Sequence, residues 1–395
     1  MSNIMRKCDL SLKKRNRFFS EFSLVLIASI LLLLITACSP PPRVLAQDRI
    51  FRDLSLEFID SYEIPANKFQ DTLIGGLSAI TYDRELDCYY ALSDDRSNLA
   101  PARFYTLKIE IESSAENVIN IDNIKVEKVT FLSDELGNNY TNGAIDGEGI
   151  ALSPRRTLFI ASEGNPTKNI APFLGEFDLE TGQKKLNMQI PQRYFSKEEE
   201  IEGIRENLAF ESLTVTQTGL LKDDPFRLFT ATESALTQDM SDEESARIRF
   251  LHYVVNPFSD PILVAEHLYL LEPSNLDVIS NGLTELLAFN EEGYFLSLER
   301  TFGLTGAGAK IFQVVVGNAT DTSTIKDLKS ITGVQSLRKK LVLDLQDLDI
   351  YLDNLEGMTL GSRLPDGSRS LVLISDNNFN QEQVNQLLLF RLVTN

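Results

Sequence analysis

The chain has 395 residues and a formal net charge of −19 at pH 7. So acidic a chain lacks the basic surface that a general nucleic-acid binder needs, and we expect no nucleic-acid partner. An anionic substrate would also be repelled unless cations or local arginines intervene. The length is ample for a large buried core, and it fits one large domain as well as two.

The N-terminus has the pattern of an export signal rather than that of a folded domain. A basic region runs from Arg6 to Arg17, and residues 22–36 are almost wholly apolar. Cys38 directly follows two small residues, which resembles the cleavage site of a bacterial lipoprotein signal. We therefore predict a removable signal peptide over residues 1–37. An uncleaved membrane anchor is the alternative, but the apolar run is shorter than the ~20 residues needed to span a bilayer.

Such a signal predicts an exported protein whose new N-terminal residue, Cys38, carries a lipid anchor. Residues 38–50 would then be a lipid-anchored spacer, and residues 51–395 the folded domain. The predicted location is the face of the cell membrane toward the periplasm or exterior, or the outer membrane if the cell has one. Cys88 is the one cysteine left in the folded part, so no intramolecular disulfide is expected there.

A two-strand unit recurs five times after residue 70. In its clearest copy a short strand entered at Glu356 is followed by a turn at 365–367 and a fully apolar strand at 371–374. Successive spacings are 73, 63, 74 and 71 residues when the copies are aligned on Gly75, Glu148, Glu211, Glu285 and Glu356. A supersecondary unit at a near-constant period indicates a solenoid or a propeller, and short strands favour the propeller.

The predicted fold is an all-β propeller of five four-stranded blades. The last copy supplies only three strands before the chain ends, whereas residues 56–65 form a strand candidate ahead of the first copy. If this N-terminal strand completes the last blade, the ring closes and no blade is left short. Six blades is the alternative, if one long connection hides a further blade.

Short motifs at the strand ends, in this order along the chain, resemble those of bacterial phytase-like proteins named for an esterase-like activity. The motifs are Gly75-Gly76-Leu77-Ser78, Ser93-Asp94-Asp95-Arg96, Asp146-Gly147-Glu148-Gly149, Ser162-Glu163-Gly164, Glu206-Asn207, Phe210-Glu211, Thr232-Glu233-Ser234, Leu298-Glu299-Arg300, Asn354-Leu355-Glu356-Gly357 and Ser375-Asp376-Asn377. The resemblance covers nearly all of the chain after residue 70. It implies a β-propeller and, as an expectation, hydrolysis of phosphate or other esters. Because one fold hosts many functions, the activity must be argued from the site.

Acidic residues recur at two places in the repeat. One set opens a strand in four of the copies: Glu148, Glu211, Glu285 and Glu356. The other set ends the strand that follows: Asp94, Asp95, Glu163, Glu233, Glu299 and Asp376. Because the two strands run antiparallel, both sets are expected at the same end of each blade. If these strands are the inner ones, the carboxylates converge on one mouth of the central channel.

Crowded carboxylates repel one another, and a hard cation such as Ca²⁺, which takes roughly 6–8 oxygen ligands, relieves the repulsion. The predicted ligands of such a cation are Asp94, Asp146, Glu148, Glu211, Glu285 and Glu356. The predicted catalytic groups are Glu356 and Asp376 as water-activating bases and Arg300 as an anion clamp. The predicted substrate-binding residues are Arg96, Glu163, Glu233, Arg300 and Lys310. The alternative is structural, because a carboxylate at a strand start can instead accept hydrogen bonds from the backbone of the next blade.

Two functions therefore stay open. The first is metal-assisted hydrolysis of a small-molecule phosphate or other ester at an acidic channel mouth. The second is a non-catalytic binding module that presents propeller loops to a protein or glycan partner. Nothing in the sequence indicates an oligomeric state.

Overall fold

A computed structural model describes residues 50–116, 118–141, 143–196, 202–241, 245–273, 278–289, 292–304 and 306–394. The predicted signal peptide over 1–37, the predicted lipidation site Cys38 and the spacer up to residue 49 lie outside the described residues. Within the described ranges, no helix combines the length and the apolar character needed to cross a lipid bilayer.

The described chain consists almost entirely of β-strands and their connections. The strands, in chain order, are β1 (Leu54–Ile64), β2 (Lys68–Phe69), β3 (Thr72–Leu73), β4 (Leu77–Asp83), β5 (Cys88–Ser93), β6 (Arg103–Ser113), β7 (Ile119–Phe131), β8 (Gly147–Leu152), β9 (Thr157–Ser162), β10 (Phe173–Asp178), β11 (Lys184–Asn187), β12 (Phe210–Gln217), β13 (Phe226–Thr232), β14 (Arg247–Asn256), β15 (Ser259–Leu270), β16 (Val278–Ala288), β17 (Tyr294–Gly303), β18 (Gly306–Val315), β19 (Arg338–Asp344), β20 (Leu355–Arg363), β21 (Arg369–Ser375) and β22 (Asn385–Thr394). Short 3₁₀ helices lie in the described connections at Pro166–Lys168, Gln192–Tyr194, Thr237–Asp239 and Leu345–Leu348.

Twenty of these strands form five four-stranded antiparallel sheets, here called blades 1 to 5. Their strand orders are β4-β5-β6-β7, β8-β9-β10-β11, β12-β13-β14-β15, β16-β17-β18-β19 and β20-β21-β22-β1. The first strands of the blades contact one another in a closed cycle, β4 to β8, β12, β16, β20 and back to β4. The all-β, five-bladed propeller predicted from the sequence is therefore confirmed, and the alternative of six blades is wrong.

The ring is closed by the N-terminal strand, as predicted. Strand β1 pairs with β22 in antiparallel register from Leu54 opposite Thr394 to Ile64 opposite Asn385. The prediction began this strand at residue 56, two residues later than the structure does. A fifth blade made from both ends of the chain ties the termini of the domain together and covers the free edge of β22.

The hydrophobic core is divided among the five junctions between neighbouring blades. One cluster joins blades 5 and 1, and four others fill the remaining junctions. Strands such as β9 are buried along their whole length because they are covered on both faces. Outer strands such as β19 are only half-buried. Because the apolar side chains fill the junctions, the mouth of the central channel is left to polar groups.

Each inner strand contains a register irregularity at an equivalent position, and β16 and β20 each contain a second one. The register with the second strand shifts by one residue at Ser78, Glu148, Glu211, Thr284 and Glu356. This is the geometry of a β-bulge, whose extra residue is unpaired and re-aimed. The bulges correct the alignment made from sequence, which had placed Gly75 and Glu285 at this position instead of Ser78 and Thr284. A slip of one residue turns a side chain to the opposite face of a strand.

Candidate active site at the channel mouth

Two sets of structurally equivalent residues meet at one end of the channel. The first set is the bulge residues Ser78, Glu148, Glu211, Thr284 and Glu356. The second set is on the second strand or just after it. Each member comes one residue after the partner of the residue that precedes the bulge, and the set comprises Asp94, Glu163, Glu233, Arg300 and Asp376. Each blade thus contributes one residue of each set.

All of these residues except Ser78 and Thr284 line a cavity of about 300 Å³ at the channel mouth. Seven of its lining residues are carboxylates: Asp94, Glu148, Glu163, Glu211, Glu233, Glu356 and Asp376. Arg96 and Arg300 are the cations in the same lining. The structure therefore brings together most of the site residues that the sequence predicted, and it does so from all five blades.

Arg300 occupies the position that carries a carboxylate in the other four blades. Its guanidinium donates to Glu356 at 2.5 Å, to Glu233 at 3.0 Å and to the side chain of Asn354. It therefore links blades 3, 4 and 5. Sequence reasoning had placed Glu299 in this set. In the structure Glu299 instead accepts hydrogen bonds from the Tyr269 hydroxyl and the Glu272 backbone, among others.

Arg96 makes the corresponding link on the opposite side of the mouth. Its Nε donates to Asp146 at 2.6 Å and lies 3.8 Å from Asp94. Its Nη2 donates to the side chain of Asn207 at 3.1 Å. Because Arg96, Asp146 and Asn207 come from successive blades or the connections before them, this arginine holds blades 1 to 3 together at the mouth.

Six carboxylates at the mouth form two groups of three, and in each group one member also accepts a hydrogen bond from an arginine. In one group Asp94, Asp146 and Glu148 offer oxygens that all lie within 4.8 Å of one another, and in the other Glu163, Glu211 and Glu233 do the same. Each group combines one bulge residue with neighbours at the strand ends. These are the residues whose spacing suits a shared cation.

Glu148 and Glu211 have no counter-charge of their own. Both side chains are about nine-tenths or more buried, with 6% of each residue exposed. In the described part of the chain neither carboxylate accepts a hydrogen bond or forms an ion pair. Oδ1 of Asp94 is likewise buried without a hydrogen-bond partner among the described residues. Buried carboxylates without partners are costly, so they indicate a ligand or a bound proton.

Burial and like charge raise the pKa values of these groups. Burial, followed by the charges of Asp94 and Glu211, raises the pKa of Glu148 well above its ordinary value. Burial also raises the pKa of Glu356 to about 8, although Arg300 opposes the shift. Burial also raises the pKa of Asp376, to about 6. The backbone hydrogen bond from Asn378 and the charge of Arg300 oppose this shift.

Three predicted site residues do not line the cavity: Asp146, which pairs with Arg96 as described above, Glu285 and Lys310. Glu285 is buried and accepts backbone hydrogen bonds from Leu213 at 3.1 Å and from Leu286 at 2.8 Å. It thereby clamps blade 4 to blade 3, as the structural alternative describes. Lys310 lies on β18, where its ammonium is 3.6 Å from the carboxylate of Asp344 on the outer strand.

Several cavity residues were missed as site residues by the sequence reasoning, notably Asn207, Asn354, Ser280 and Phe302. Asn354 carried a usable signal, because it precedes its bulge glutamate by two residues as Asp146 does. In blade 4 the same position is Gly282. A Cβ there would lie 2.0 Å from Oε1 of Glu233, so this glycine makes room for that carboxylate.

The sequence was compared with known families and structures. A family profile described as "Phytase-like: Esterase-like activity of phytase" matches residues 72–379. The chain belongs to this phytase-like family. No protein among those with curated descriptions matches it significantly.

Among solved structures, the endo-arabinase from Bacteroides thetaiotaomicron VPI-5482 matches with 12% identity and a TM-score of 0.39, over 83% of this chain and 96% of that one. The catalytic domain of the GH62 α-L-arabinofuranosidase of Coprinopsis cinerea matches with 11% identity and a TM-score of 0.40, over 85% and 97%. The N-terminal domain of Nup159 matches with 8% identity and a TM-score of 0.30, over 87% and 97%. Scores this low add nothing to what the strand order of the phytase-like propeller establishes.

The raised pKa values predict that the cation-free domain loses stability as pH rises. Below pH 4.5, its ordinary pKa, Glu356 is protonated in both the folded and unfolded states. Between 4.5 and its folded pKa of about 8, the unfolded chain ionises while the folded protein retains the proton. The free energy of unfolding therefore falls across this window. Thermal unfolding of residues 50–395 in chelator, from pH 5 to pH 8, measures it.

Glu356→Gln is expected to flatten this pH dependence, since glutamine does not titrate. Glu112→Gln, at an exposed position on β6, is the matched control and should leave the dependence unchanged. A melting temperature that rises from pH 5 to pH 8 in chelator would contradict the raised pKa values.

Proposed function

We propose that this phytase-like propeller hydrolyses a small-molecule phosphate or other ester at the channel mouth, with a divalent cation, Ca²⁺ by preference, bound among the carboxylates. The observation that carries the proposal is the convergence of seven carboxylates and two arginines on one cavity. A structural role needs no such convergence, since Glu285 links two blades by accepting backbone hydrogen bonds without lining the cavity. Titratable groups with strongly perturbed pKa values in a cleft are typical of active sites.

The donor set fits a hard cation. The two groups of three carboxylates supply oxygen ligands only, which suit Ca²⁺ better than softer metals. Glu148 and Glu211 are buried and lack partners among the described residues, so a cation would offset charge that the protein leaves uncompensated. Such a cation would supply Lewis acidity toward an ester oxygen. Asp94, Asp146 and Glu148 would hold one ion, and Glu163, Glu211 and Glu233 a second.

This assignment leaves Glu356 and Asp376 for proton transfer. The two differ in pKa, at about 8 and about 6, so at neutral pH one is protonated while the other is ionised. In the proposed reaction Asp376 accepts a proton from the attacking water. The water oxygen forms the new bond to the acyl carbon or phosphorus, and the bond to the alcohol oxygen breaks. Glu356 then donates its proton to that departing oxygen.

Arg300 is placed to stabilise negative charge that develops on the ester. Its contacts with Glu233 and Glu356 fix the guanidinium at the edge of the cavity. Both arginines of the mouth are already paired with carboxylates, so they add little free positive charge for an anionic substrate. A phosphate ester would therefore need the cations as well, whereas a neutral carboxylic ester would not.

We also propose that the predicted lipid anchor tethers the enzyme to the outer face of a cell membrane. The support is the signal-like sequence that ends at Cys38. Expression in a bacterium fed a clickable fatty acid should label the native chain, and Cys38→Ala should abolish both label and membrane retention. Equal labelling of the Cys38→Ala variant would contradict the tether.

The hydrolase and the non-catalytic binding module make different predictions for residues 50–395. Ca²⁺ at 100 times its Kd is expected to stabilise the domain by about 2.7 kcal/mol, seen as a higher melting temperature. Replacing both Glu148 and Glu211 by glutamine should remove most of that gain. Asp376→Asn, which removes the base that accepts the proton of the attacking water, should lower kcat on p-nitrophenyl acetate or p-nitrophenyl phosphate by about 10²–10⁴-fold and keep most of the calcium response.

Glu112→Gln again serves as the control and should match the native domain in both assays. Stabilisation by Ca²⁺ without turnover of either ester would favour the binding module. If Ca²⁺ and other divalent ions leave the melting temperature unchanged, the proposed cation site is wrong.

A further inference from the structure

A second, larger cavity adjoins the channel mouth. Its volume is about 620 Å³, within the usual range of about 300–1,000 Å³ for small-molecule sites. It lies between the ends of β17 and β18, the segment 346–354 and the segment 380–383. Phe302, Asn354 and Gln383 line both cavities, so the two are adjacent. We call this second cavity the side pocket.

The side pocket presents two aromatic rings to solvent. Phe302 is 52% exposed and Tyr351 is 62% exposed. Exposed rings that share a concave site with polar groups are typical of ligand recognition rather than of core packing. Ile350, half-buried, adds to the same apolar wall.

The wall is held in place by a buried carboxylate. Asp353 accepts hydrogen bonds from the Tyr351 hydroxyl at 3.1 Å, the Gln383 amide at 3.2 Å and the Val384 backbone at 2.7 Å. Gln386 donates to the Tyr351 carbonyl at 2.7 Å. The Tyr351 ring and the Gln383 amide are thus preorganised, which lowers the entropic cost of binding a ligand.

The charge of the lining restricts what can bind. It includes the carboxylates of Asp349, Asp353 and Glu382, and no Lys, Arg or His is among its described residues. A phosphate-bearing ligand would be repelled here. Neutral hydroxyl groups, by contrast, can donate to these carboxylates and exchange hydrogen bonds with Gln346 and Asn380 at the rim.

We propose that the side pocket binds a neutral sugar unit of the substrate. A sugar ring has an apolar C–H face that packs on aromatic rings and a rim of hydroxyls that need hydrogen-bond partners. Both features are matched by the wall of Phe302 and Tyr351 and by the polar rim. Since the side pocket shares Phe302, Asn354 and Gln383 with the channel mouth, a sugar held there would bring an ester on one of its hydroxyls close to the carboxylates. Only this last step rests on the proposed hydrolysis.

Binding can be measured by calorimetry and by ligand-observed NMR on residues 50–395. The probes are cellotriose, maltotriose, xylotriose and chitotriose, with glucose 6-phosphate against glucose as a test of the charge argument. We expect saturable binding of at least one neutral oligosaccharide and weaker binding of the phosphorylated sugar than of glucose. Phe302→Ala and Tyr351→Ala should each weaken the binding by roughly tenfold.

Matched variants separate the ring from the hydroxyl and from general effects. Tyr351→Phe keeps the ring and should retain most of the affinity. Leu304→Ala removes an apolar side chain that is 80% exposed on the same hairpin, outside the lining, and should change nothing. Each variant is compared at an unaltered melting temperature.

The inference is overturned if none of the neutral oligosaccharides binds, or if binding survives both Phe302→Ala and Tyr351→Ala. Failure of the proposed hydrolysis has a different signature. An oligosaccharide that binds through Tyr351 while no ester is turned over would overturn the hydrolase and leave the sugar site standing. Turnover of p-nitrophenyl acetate without any sugar binding would overturn the sugar site and leave the proposed hydrolysis standing.

Discussion

Repulsion among buried carboxylates is the constraint on which the channel mouth depends. Their crowding follows from one extra residue in each inner strand, because a β-bulge aims that side chain toward the axis. In blades 2, 3 and 5 the residue is a glutamate. The apolar junctions between blades hold these strands together against the repulsion. Arg96 and Arg300 form ion pairs with some of these carboxylates, and we propose that protons or cations compensate the charge of the others.

Carboxylates that look alike in the sequence have separate tasks in the structure. Glu285 and Glu163 accept backbone hydrogen bonds from a neighbouring blade and tie the ring together. Glu148 and Glu211 have no such partner in the described chain, although they occupy the same kind of bulge position as Glu356. Glu285 is one residue past the bulge of its blade, whereas Glu148 and Glu211 are the bulge residues, so a shift of one residue in register, not the residue type, separates the two positions.

The sequence was sufficient for the architecture because apolar strands at a near-constant spacing have few ways to bury their faces. The closing strand could be foreseen for the same reason, since the last blade lacked one. The register at the bulges could not be foreseen, because Thr284-Glu285 and Glu299-Arg300 offer two charged or polar residues side by side and only pairing decides which one faces the channel. The side pocket was also missed, since Phe302 and Tyr351 meet through tertiary contacts between different connections.

We propose that protons occupy the channel mouth when cations do not. Calorimetric titration of residues 50–395 with Ca²⁺ at pH 7, in two buffers of different ionisation enthalpy, measures the protons released on binding. We expect net proton release at pH 7, because burial raises the pKa values of Glu148 and Glu211 well above their ordinary range and a bound cation would displace their protons. Calcium binding with no proton release at pH 7, or no calcium binding at all, would contradict it.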